Sequence, residues 1–249
     1  MKSYISEIFS SIQGEGPYIG ERHLFLRFCD CHRDCIYCDT NTKRTESVMI
    51  EKIAGSGEIE HIPNPLSVDE VLNWIDVLDA KNNNKRISLT GGAPLLQAKF
   101  LSQLLPKLVE KGYSNYLETV GDLTDQFKTI VEYIDIVAMD VKLSSVTLDK
   151  NIFSQHWKFL SYMKNQNVDY FIKLIVSNET DEYELMEAVK GICKHGGKET
   201  NVILQALSAT ERVSNIPSSQ QLLRWQDNIV GVLPNVRVIP QTHKIMGLL

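Results

Sequence analysis

The alternation of apolar, β-branched segments with amphipathic segments is the feature that most restricts the fold of this chain of 249 residues. Its strand-like segments recur along most of the length, with helical patterns between them. The predicted strands are Ser3–Phe9, Arg22–Phe28, Arg86–Thr90, Ser114–Thr119, Ile134–Asp140, Asp169–Val176, Asn201–Ala206 and Val236–Pro240. Such alternation favours right-handed βαβ units and a parallel sheet. We therefore expect an α/β fold, a partial or complete (β/α) barrel, with one domain over residues 1–249.

Several segments between the strands carry helix signals. Ser67–Glu70 reads as a capping box at the start of an amphipathic helix. Pro94 suits the first turn of a helix over Pro94–Glu110, which we expect to end near Gly112. Thr180–Cys193 is the third such segment, with Thr180 as its expected N-cap. The polar, glycine- and proline-containing stretch Thr42–Pro65 breaks the alternation and is interpreted as an insertion or mobile loop.

Composition and charge narrow the range of partners. The chain is 43% hydrophobic and 23% charged, as is usual for globular enzymes, and its net charge is −5. We therefore expect no general binding to nucleic acid or to an anionic membrane. No apolar run approaches the ~20 residues of a membrane helix. The first nine residues lack the apolar segment of a secretory signal, so we expect a reducing, cytoplasmic setting.

The cysteine triplet Cys31, Cys35 and Cys38 has the spacing C-x3-C-x2-C and directly follows a predicted strand. Three thiolates on one loop would hold a 4Fe–4S cluster by three irons and leave the fourth iron open to a small molecule. A structural zinc site is an alternative, with Cys29 or His32 as the fourth ligand. Plain reduced thiols are another, whereas five cysteines without a signal peptide make a disulfide framework a poor interpretation.

The segment that follows the first strand, Gln13-Gly14-Glu15-Gly16, combines two glycines with an amide and a carboxylate. Such groups would read the hydrogen-bonding edge of a heterocycle, although a glycine-rich turn between strands is the simpler interpretation of these residues alone. Arg27 lies inside an apolar strand and needs an anionic partner. That partner is either a substrate carboxylate or an internal acid.

Further polar groups follow the other strands. Thr40, after the triplet, has a hydroxyl that suits Mg²⁺. Gly91 and Gly92 stand at a strand end before Pro94, either as a tight βα turn or as backbone that receives a ligand's polar tail. The polar residues at later strand ends are Glu118, Thr119, Asp140, Lys142, Gln205 and His243. In a barrel these ends share one rim, so the side chains would converge on one pocket.

These segments together resemble the radical S-adenosylmethionine (SAM) superfamily and, within it, the family of 7-carboxy-7-deazaguanine synthases. The resemblance is carried by SIQGEGPYIGERHLFLRFCDCHRDCIYCDT and then by LTGGAPLL, ETVG, the DVK segment, ILQ and VRVIPQTHK, in family order. It covers almost the whole chain. It implies a modified partial (β/α) barrel of about six parallel strands, the radical SAM core, with N- and C-terminal extensions.

The activity implied by the resemblance is the radical ring contraction of 6-carboxy-5,6,7,8-tetrahydropterin to 7-carboxy-7-deazaguanine, with loss of ammonia. This is a carbon–nitrogen lyase reaction on the route to queuosine and related 7-deazapurines. The implied cofactors are a 4Fe–4S cluster, S-adenosyl-L-methionine and Mg²⁺. The implied partners are the pterin substrate, an electron donor such as flavodoxin or ferredoxin, and a second copy of the chain in a homodimer.

The resemblance also assigns residues. The cluster ligands would be Cys31, Cys35 and Cys38, with Thr40 as the Mg²⁺ ligand. The substrate-binding residues would be Ile12, Gln13, Gly14, Glu15, Arg27, Thr90 and His243, with Arg27 on the substrate carboxylate. The residues that contact SAM would be Tyr37, Asp39, Gly92, Asp140, Lys142 and Gln205.

One departure from the superfamily pattern concerns the position after the double glycine. A Glu usually stands there and meets the ammonium group of SAM, whereas this chain has Ala93. We hypothesise that Asp140 compensates, and we interpret Cys29 as a spectator thiol. Alternative functions are an activase of the same superfamily that abstracts hydrogen from a glycine on a partner protein, and a repurposed relative that keeps the fold.

Overall fold

The computed structural model describes residues 1–209 and 214–248. Its strands are β1 (Lys2–Ser3), β2 (Ile5–Ile12), β3 (Arg22–Phe28), β4 (Ser47–Glu51), β5 (Ile59–Pro63), β6 (Leu66–Ser67), β7 (Arg86–Gly91), β8 (Ser114–Thr119), β9 (Ile136–Asp140), β10 (Asp169–Val176), β11 (Val202–Ala206) and β12 (Val236–Val238). Its α-helices are α1 (Val68–Leu78), α2 (Ala98–Glu110), α3 (Thr124–Lys128), α4 (Ser144–Thr147), α5 (Phe153–Met163), α6 (Glu182–Gly196), α7 (Ser219–Val230) and α8 (Thr242–Met246). Short 3₁₀ turns cover Gly16–Tyr18, Pro94–Gln97 and Val131–Tyr133.

Ten strands form one sheet in the order β12-β11-β10-β9-β8-β7-β3-β2-β4-β5. The seven strands from β12 to β3 are all parallel to their neighbours, and β2 is antiparallel to β3. The sheet is open, with edges at β12 and β5, so the predicted partial (β/α) barrel is confirmed. The parallel set has one strand more than expected, because the short β12 extends it.

The helices supply the outer layer, and their apolar faces pack on the sheet. In α1 the side chains of Val71, Leu72 and Ile75 are buried, as the 3.6-residue period requires. The capping box of Ser67 and Glu70 is present in full, and a cap of this kind stabilises a helix by about 1 kcal/mol. Side chains of the neighbouring strands β8 to β11 form a second, smaller apolar cluster, which consists of Tyr116, Ile136, Ala138, Phe171 and Ile203.

The interpretation of Thr42–Pro65 as a mobile loop is wrong, whereas an insertion in the βα alternation agrees with the structure. This stretch contains an antiparallel hairpin, β4 and β5, which adds to the sheet beside β2. Asn64 fastens the end of this hairpin, because its side-chain amide accepts from the N–H of Ile5 at 3.2 Å and donates to the C=O of Ile5 at 2.8 Å. The stretch is therefore part of the sheet.

Other boundaries shifted for local reasons. The first predicted strand divides, because β1 pairs with β6 in a separate two-stranded sheet while β2 continues to Ile12. The N-cap of α6 is Asp181, whose carboxylate accepts from two backbone N–H groups of the first turn. Thr180, the predicted cap, instead accepts from the N–H of Ser177 at 2.9 Å. Within the described residues, no helix is both long enough and apolar enough to cross a membrane.

Candidate active site

A basin of about 400 Å³ opens at the carboxyl ends of the parallel strands. All the residues that the sequence assigned to substrate, SAM, cluster or magnesium line it: Ile12, Gln13, Gly14, Glu15, Arg27, Cys31, Cys35, Tyr37, Cys38, Asp39, Thr40, Thr90, Gly92, Asp140, Lys142, Gln205 and His243. The parallel topology explains this convergence, since neighbouring strands present their carboxyl ends on one rim.

The cysteine loop forms one wall of the basin. Cys35 is buried, Cys31 is half-buried and Cys38 is exposed, and all three are free thiols. Burial raises the pKa of Cys35 to about 11 and also raises the pKa of Cys31. Without metal these two thiols are therefore neutral near pH 7, and a cluster that binds there must displace their protons.

The two candidates for a fourth zinc ligand do not join this wall. Cys29 is fully buried and does not line the basin. The Nε2 atom of His32 lies 2.7 Å from the Oδ2 atom of Asp122. In the part of the chain that the structure describes, no three His, Cys, Asp or Glu side chains converge to hold a metal ion. Three cysteines on one loop without a fourth ligand fit a cluster with an open iron better than a tetrahedral zinc ion.

The double glycine packs directly against the cysteine loop. A Cβ atom on Gly92 would lie 2.0 Å from the carbonyl oxygen of Asp30, and Gly91 has a φ of +103°. The N–H of Ala93 donates to the same Asp30 oxygen at 2.8 Å. The pair is therefore a tight βα turn, and Gly91 and Gly92 also line the basin. Ala93 is buried in the turn and lies outside the basin lining.

Lys142 organises the end of the basin nearest to the cysteines. Its ammonium group donates to Asp140 Oδ2 at 2.7 Å and to the hydroxyl of Tyr37 at 3.0 Å. Burial by itself lowers the pKa of Lys142, but the charge of Asp140 outweighs it and the pKa lies above its usual value. For Tyr37 burial has the opposite effect, since it raises the pKa of the phenol. The group therefore consists of an ammonium ion, a carboxylate and a neutral phenol.

Two acceptor atoms in this part of the basin have no hydrogen-bond partner in the described structure. They are Oδ1 of Asp140 and Oε1 of Gln205, and both are buried. Leaving a buried acceptor unpaired costs about 1–3 kcal/mol, so such atoms favour a ligand that brings donors. SAM carries an ammonium group, hydroxyls and an adenine amine, and these residues fit it.

A buried ion pair supports the opposite end of the basin. Lys173, from β10, donates to Oε2 of Glu15 at 2.6 Å, and Gln241 donates to Oε1 at 2.7 Å. Burial alone would raise the pKa of Glu15, but the charge of Lys173 and these hydrogen bonds lower it to about 2. The carboxylate is therefore ionised, and both of its oxygens are fixed in position.

Gly14 is the contact between the first loop and the C-terminal segment. Its carbonyl oxygen accepts from the N–H and the hydroxyl of Thr242, at 2.9 and 3.1 Å. A Cβ atom on Gly14 would lie only 2.3 Å from Nδ1 of His243. Burial lowers the pKa of His243, which favours the neutral imidazole. Close packing therefore requires a glycine at position 14, and His243 lines the basin beside it.

Glu118 occupies the centre of the rim between these two ends. The hydroxyl of Thr90 donates to its Oε2 at 2.8 Å, and the amide of Gln13 lies 3.5 Å from its Oε1. The other end of the Gln13 amide accepts from the N–H of Glu15 at 3.0 Å. The side chains of Gln13, Thr90 and Glu118 thus form one hydrogen-bonded group.

Arg27 has an internal partner and free donors as well. Its Nε lies 3.0 Å from Oε2 of Glu7, and its guanidinium lies over the ring of Phe9. The contact with Glu7 is an ion pair without hydrogen-bond geometry, and among the described residues no side chain accepts a hydrogen bond from this guanidinium. The internal acid predicted as one alternative is therefore Glu7, and the substrate carboxylate stays a prediction, for which the terminal nitrogens are available.

The rim beyond the cysteines carries the proposed magnesium ligand. Thr40 is half-buried and lines the basin. Its neighbour Asp39 pairs with Lys244 of α8, so the cysteine loop and the C-terminal segment meet here. Asp39 is exposed, and its pair with Lys244 lies at the solvent edge of the basin.

Sequence reasoning missed three residues that line the basin and hold its functional side chains: Glu7, Lys173 and Gln241. Lys173 did carry a signal, because it is a single charge inside the apolar segment Asp169–Val176. Gln241, in the segment after β12, carried none, and neither did Glu7, since a charged residue inside a strand such as β2 is more often on an exposed face. Glu118 was noted only as a strand-end residue, and the structure brings it into the basin.

Comparison with known proteins identifies the superfamily. The sequence model of the Radical SAM superfamily matches residues 27–204. The chain is 34% identical to a 7-carboxy-7-deazaguanine synthase of Geobacter sulfurreducens over 98% of this chain and 97% of that protein. It is also 34% identical to the enzyme of that name from Methanocaldococcus jannaschii, over 98% of this chain and all of that protein, 100%.

Solved structures show the same fold. The crystal structure of QueE from Escherichia coli is similar, with a TM-score of 0.62 over 97% of this chain and 94% of that one, at 18% identity. A structure of TYW1 with a lysine–pyruvate adduct has a TM-score of 0.51 over 84% of this chain and 73% of that one, at 12% identity.

Proposed function

The chain belongs to the 7-carboxy-7-deazaguanine synthase family of the radical SAM superfamily, and we propose which residues of its basin bind the cofactors and the substrate of this family. It is a radical SAM lyase that converts 6-carboxy-5,6,7,8-tetrahydropterin to 7-carboxy-7-deazaguanine in 7-deazapurine biosynthesis. The observation that supports these roles is that one basin is lined by the three cysteines together with the Glu15 carboxylate, paired with Lys173, and the Arg27 guanidinium, paired with Glu7.

At the cysteine end, Cys31, Cys35 and Cys38 would hold the 4Fe–4S cluster. The cluster and SAM supply, when bound, the organic radical that starts the ring contraction. The free acceptors of Asp140 and Gln205 would receive hydrogen bonds from SAM. Because Lys142 already neutralises one oxygen of Asp140, the other remains for a cationic donor.

The remaining contacts to SAM and to the metal follow the same rim. We assign Tyr37, Asp39 and Gly92 to SAM and Thr40 to Mg²⁺, whose hard oxygen preference a hydroxyl satisfies. We assign the role of the missing carboxylate at position 93 to Asp140, because Ala93 lies outside the basin lining and Asp140 has an acceptor oxygen without a partner there. If Asp140→Asn bound SAM as tightly as the wild type in anaerobic calorimetry, this compensation would be wrong.

At the opposite end, Glu15 would accept from the N–H groups on the pyrimidine edge of the pterin. Its low pKa, about 2, keeps it an acceptor throughout the physiological range. Arg27 would bind the substrate carboxylate through the terminal nitrogens that Glu7 leaves free. The other substrate contacts are assigned to Ile12, Gln13, Gly14, Thr90 and His243.

Partners and setting are proposed on family grounds. The chain would act as a single domain in a cytoplasmic homodimer and receive its electron from a flavodoxin or ferredoxin. The cluster loop reaches the surface at Cys38, which is exposed, and this is consistent with an external electron donor.

Anaerobic reconstitution followed by an assay tests these roles. The wild type should bind about four irons per chain and form the deazaguanine product without any protein partner when a chemical reductant such as dithionite replaces the electron donor. Cys35→Ala should lose iron, whereas Cys29→Ala, the matched control, should retain it. Arg27→Gln should raise KM for the carboxypterin by about tenfold or more, because a charged hydrogen bond contributes about 1.5–3 kcal/mol. A normal KM in Arg27→Gln would contradict the carboxylate assignment.

If the reconstituted wild type contains iron and cleaves SAM but makes no deazaguanine, the substrate claim fails and an activase becomes the better interpretation. One tight zinc ion per chain and no iron would instead support the zinc alternative.

A further inference from the structure

The spacer of the cysteine loop is anchored outside the basin. His32 and Arg33 lie between the first two cysteines, and both side chains reach Asp122 on the loop after β8. The Oδ2 atom of Asp122 lies 2.7 Å from Nε2 of His32 and 3.0 Å from Nε of Arg33, and it also accepts from Nη2 of Arg33. One carboxylate oxygen therefore holds two consecutive residues of the loop.

This contact is shielded from water. The side chain of Asp122 is only 4% exposed and that of Arg33 only 9%. Burial by itself raises the pKa of Asp122, but the hydrogen bonds from His32 and Arg33 lower it below its usual value. An ion pair buried to this degree is weakly screened by solvent, so removal of either partner leaves an uncompensated charge.

The loop that carries Asp122 is fixed in its turn. Gly121 has a φ of +73°, and its N–H donates to the hydroxyl of Thr119 at 3.1 Å. The buried ring of His156 joins this loop to β9, with Nδ1 3.4 Å from the carbonyl oxygen of Gly121 and Nε2 accepting from the N–H of Lys142 at 3.0 Å. Asp122 therefore presents its carboxylate from a rigid support.

The anchor acts next to a prospective cluster ligand. The backbone N–H of Arg33 donates to Sγ of Cys31 at 3.4 Å. Hydrogen bonds to cluster sulfurs are one of the factors that set the reduction potential of an iron–sulfur centre. Holding the Arg33 side chain therefore also holds a donor on the first cysteine.

We propose that Asp122 is a positioning residue for the cluster: it fixes the His32–Arg33 spacer, so that the cysteine loop is held in one conformation before iron binds, and it keeps the Arg33 N–H on Cys31. The inference rests on the proposed role of the three cysteines. Without the anchor, cluster binding would have to order the loop and would lose affinity by that ordering cost.

The test compares Asp122→Asn with Asp149→Asn. Asp149 also faces Arg33, but its contact is 3.5 Å long and its side chain is 29% exposed, so it is a matched control. Under limiting iron and sulfide, Asp122→Asn should take up less than half of the wild-type iron. The cluster that does form should have a shifted midpoint potential by anaerobic redox titration. Asp149→Asn should match the wild type in both measurements.

Arg33→Met tests the same contact from the loop side. Its iron uptake should fall as in Asp122→Asn, and the double variant should be no worse than the worse single variant, because both changes break one contact. Thermal unfolding of the iron-free proteins shows which variants are folded. If Asp122→Asn does not fold, the iron uptake of Arg33→Met alone tests the proposal. Wild-type iron content and potential in the folded variants would overturn the proposal. A wild type that takes up no iron would overturn the cluster assignment itself.

Discussion

Replacement of Lys173 by Met tests how much the buried ion pair between Lys173 and Glu15, which lines the basin, contributes to the stability of the fold. The ammonium lies 2.6 Å from Oε2 of Glu15, and the two side chains are 8% and 13% exposed. Removing one member of such a pair leaves a buried charge without its partner, at a cost of about 3–5 kcal/mol. The free energy of unfolding of Lys173→Met should therefore fall by that amount at pH 7.5.

The pH dependence should change sign as well. In the wild type, the pKa of Glu15 is lowered from 4.5 to about 2, so its stabilisation is present above pH 4.5 and is lost as the pH falls toward 2. Without Lys173, burial, which is the largest cause and raises the pKa of Glu15, is opposed only by the hydrogen bond from Gln241 and the charge of His243, so the pKa rises. Its penalty is then present above the raised pKa and is relieved as the pH falls. The stability gap between wild type and Lys173→Met should therefore narrow between pH 7.5 and pH 5.

Urea denaturation of the iron-free proteins measures both effects. Lys244→Met is the matched control, because the pair of Lys244 with Asp39 has side chains 31% and 47% exposed and should contribute only about 0–1 kcal/mol. The double variant Glu15→Gln/Lys173→Met should recover most of the loss, since no unpaired charge remains. Equal, small losses in the two lysine variants, or a gap that does not depend on pH, would refute the reasoning.

Two further predictions concern packing and proton binding. Gly14→Ala places a Cβ 2.3 Å from Nδ1 of His243, so the free energy of unfolding should fall by about 1–3 kcal/mol in urea denaturation and KM should rise in steady-state assays. The control is Gly231→Ala, whose added Cβ meets nothing closer than 3.6 Å and which should lower neither stability nor substrate affinity. Burial lowers the pKa of His23 and of His156 from 6.5 to about 4, so unfolding takes up protons below pH 6.5. Each histidine should then lower the free energy of unfolding by about 2 kcal/mol at pH 5 relative to pH 7.5. In urea titrations, His23→Gln and His156→Gln should each make the free energy of unfolding depend less on pH. An unchanged pH dependence in either variant would contradict the assigned pKa shift.

Local patterns account for the parts of the fold that were predicted well. Arg22–Phe28, Ser114–Thr119 and Asp169–Val176 have the bounds that the sequence indicates, because each has an apolar or aromatic centre between polar breaks. The hairpin in Thr42–Pro65 was missed, since β5 alternates exposed and half-buried residues and gains its pairing from β4. Strand formation there depends on tertiary context more than on propensity.

The site shows the same division between local motif and long-range contact. The lining residues were recognisable because the resemblance marks each motif in order along the chain. The support of Glu15 was not, because Lys173 and Gln241 are 158 and 226 residues away from it in sequence. No pattern in one sequence indicates which distant side chain will lie beneath a given carboxylate.

The junction of Gly14 with Thr242 sets an order of events during synthesis. Chains emerge from the ribosome N-terminus first at about 5–20 residues per second, so Cys38 precedes His243 by roughly 10–40 seconds. Throughout that interval the three thiols are present while the C-terminal wall of the basin is not. Iron that enters early would meet a loop still open to oxygen and to other thiols. We therefore expect productive cluster insertion to follow the synthesis of α8, when this helix closes on the first loop.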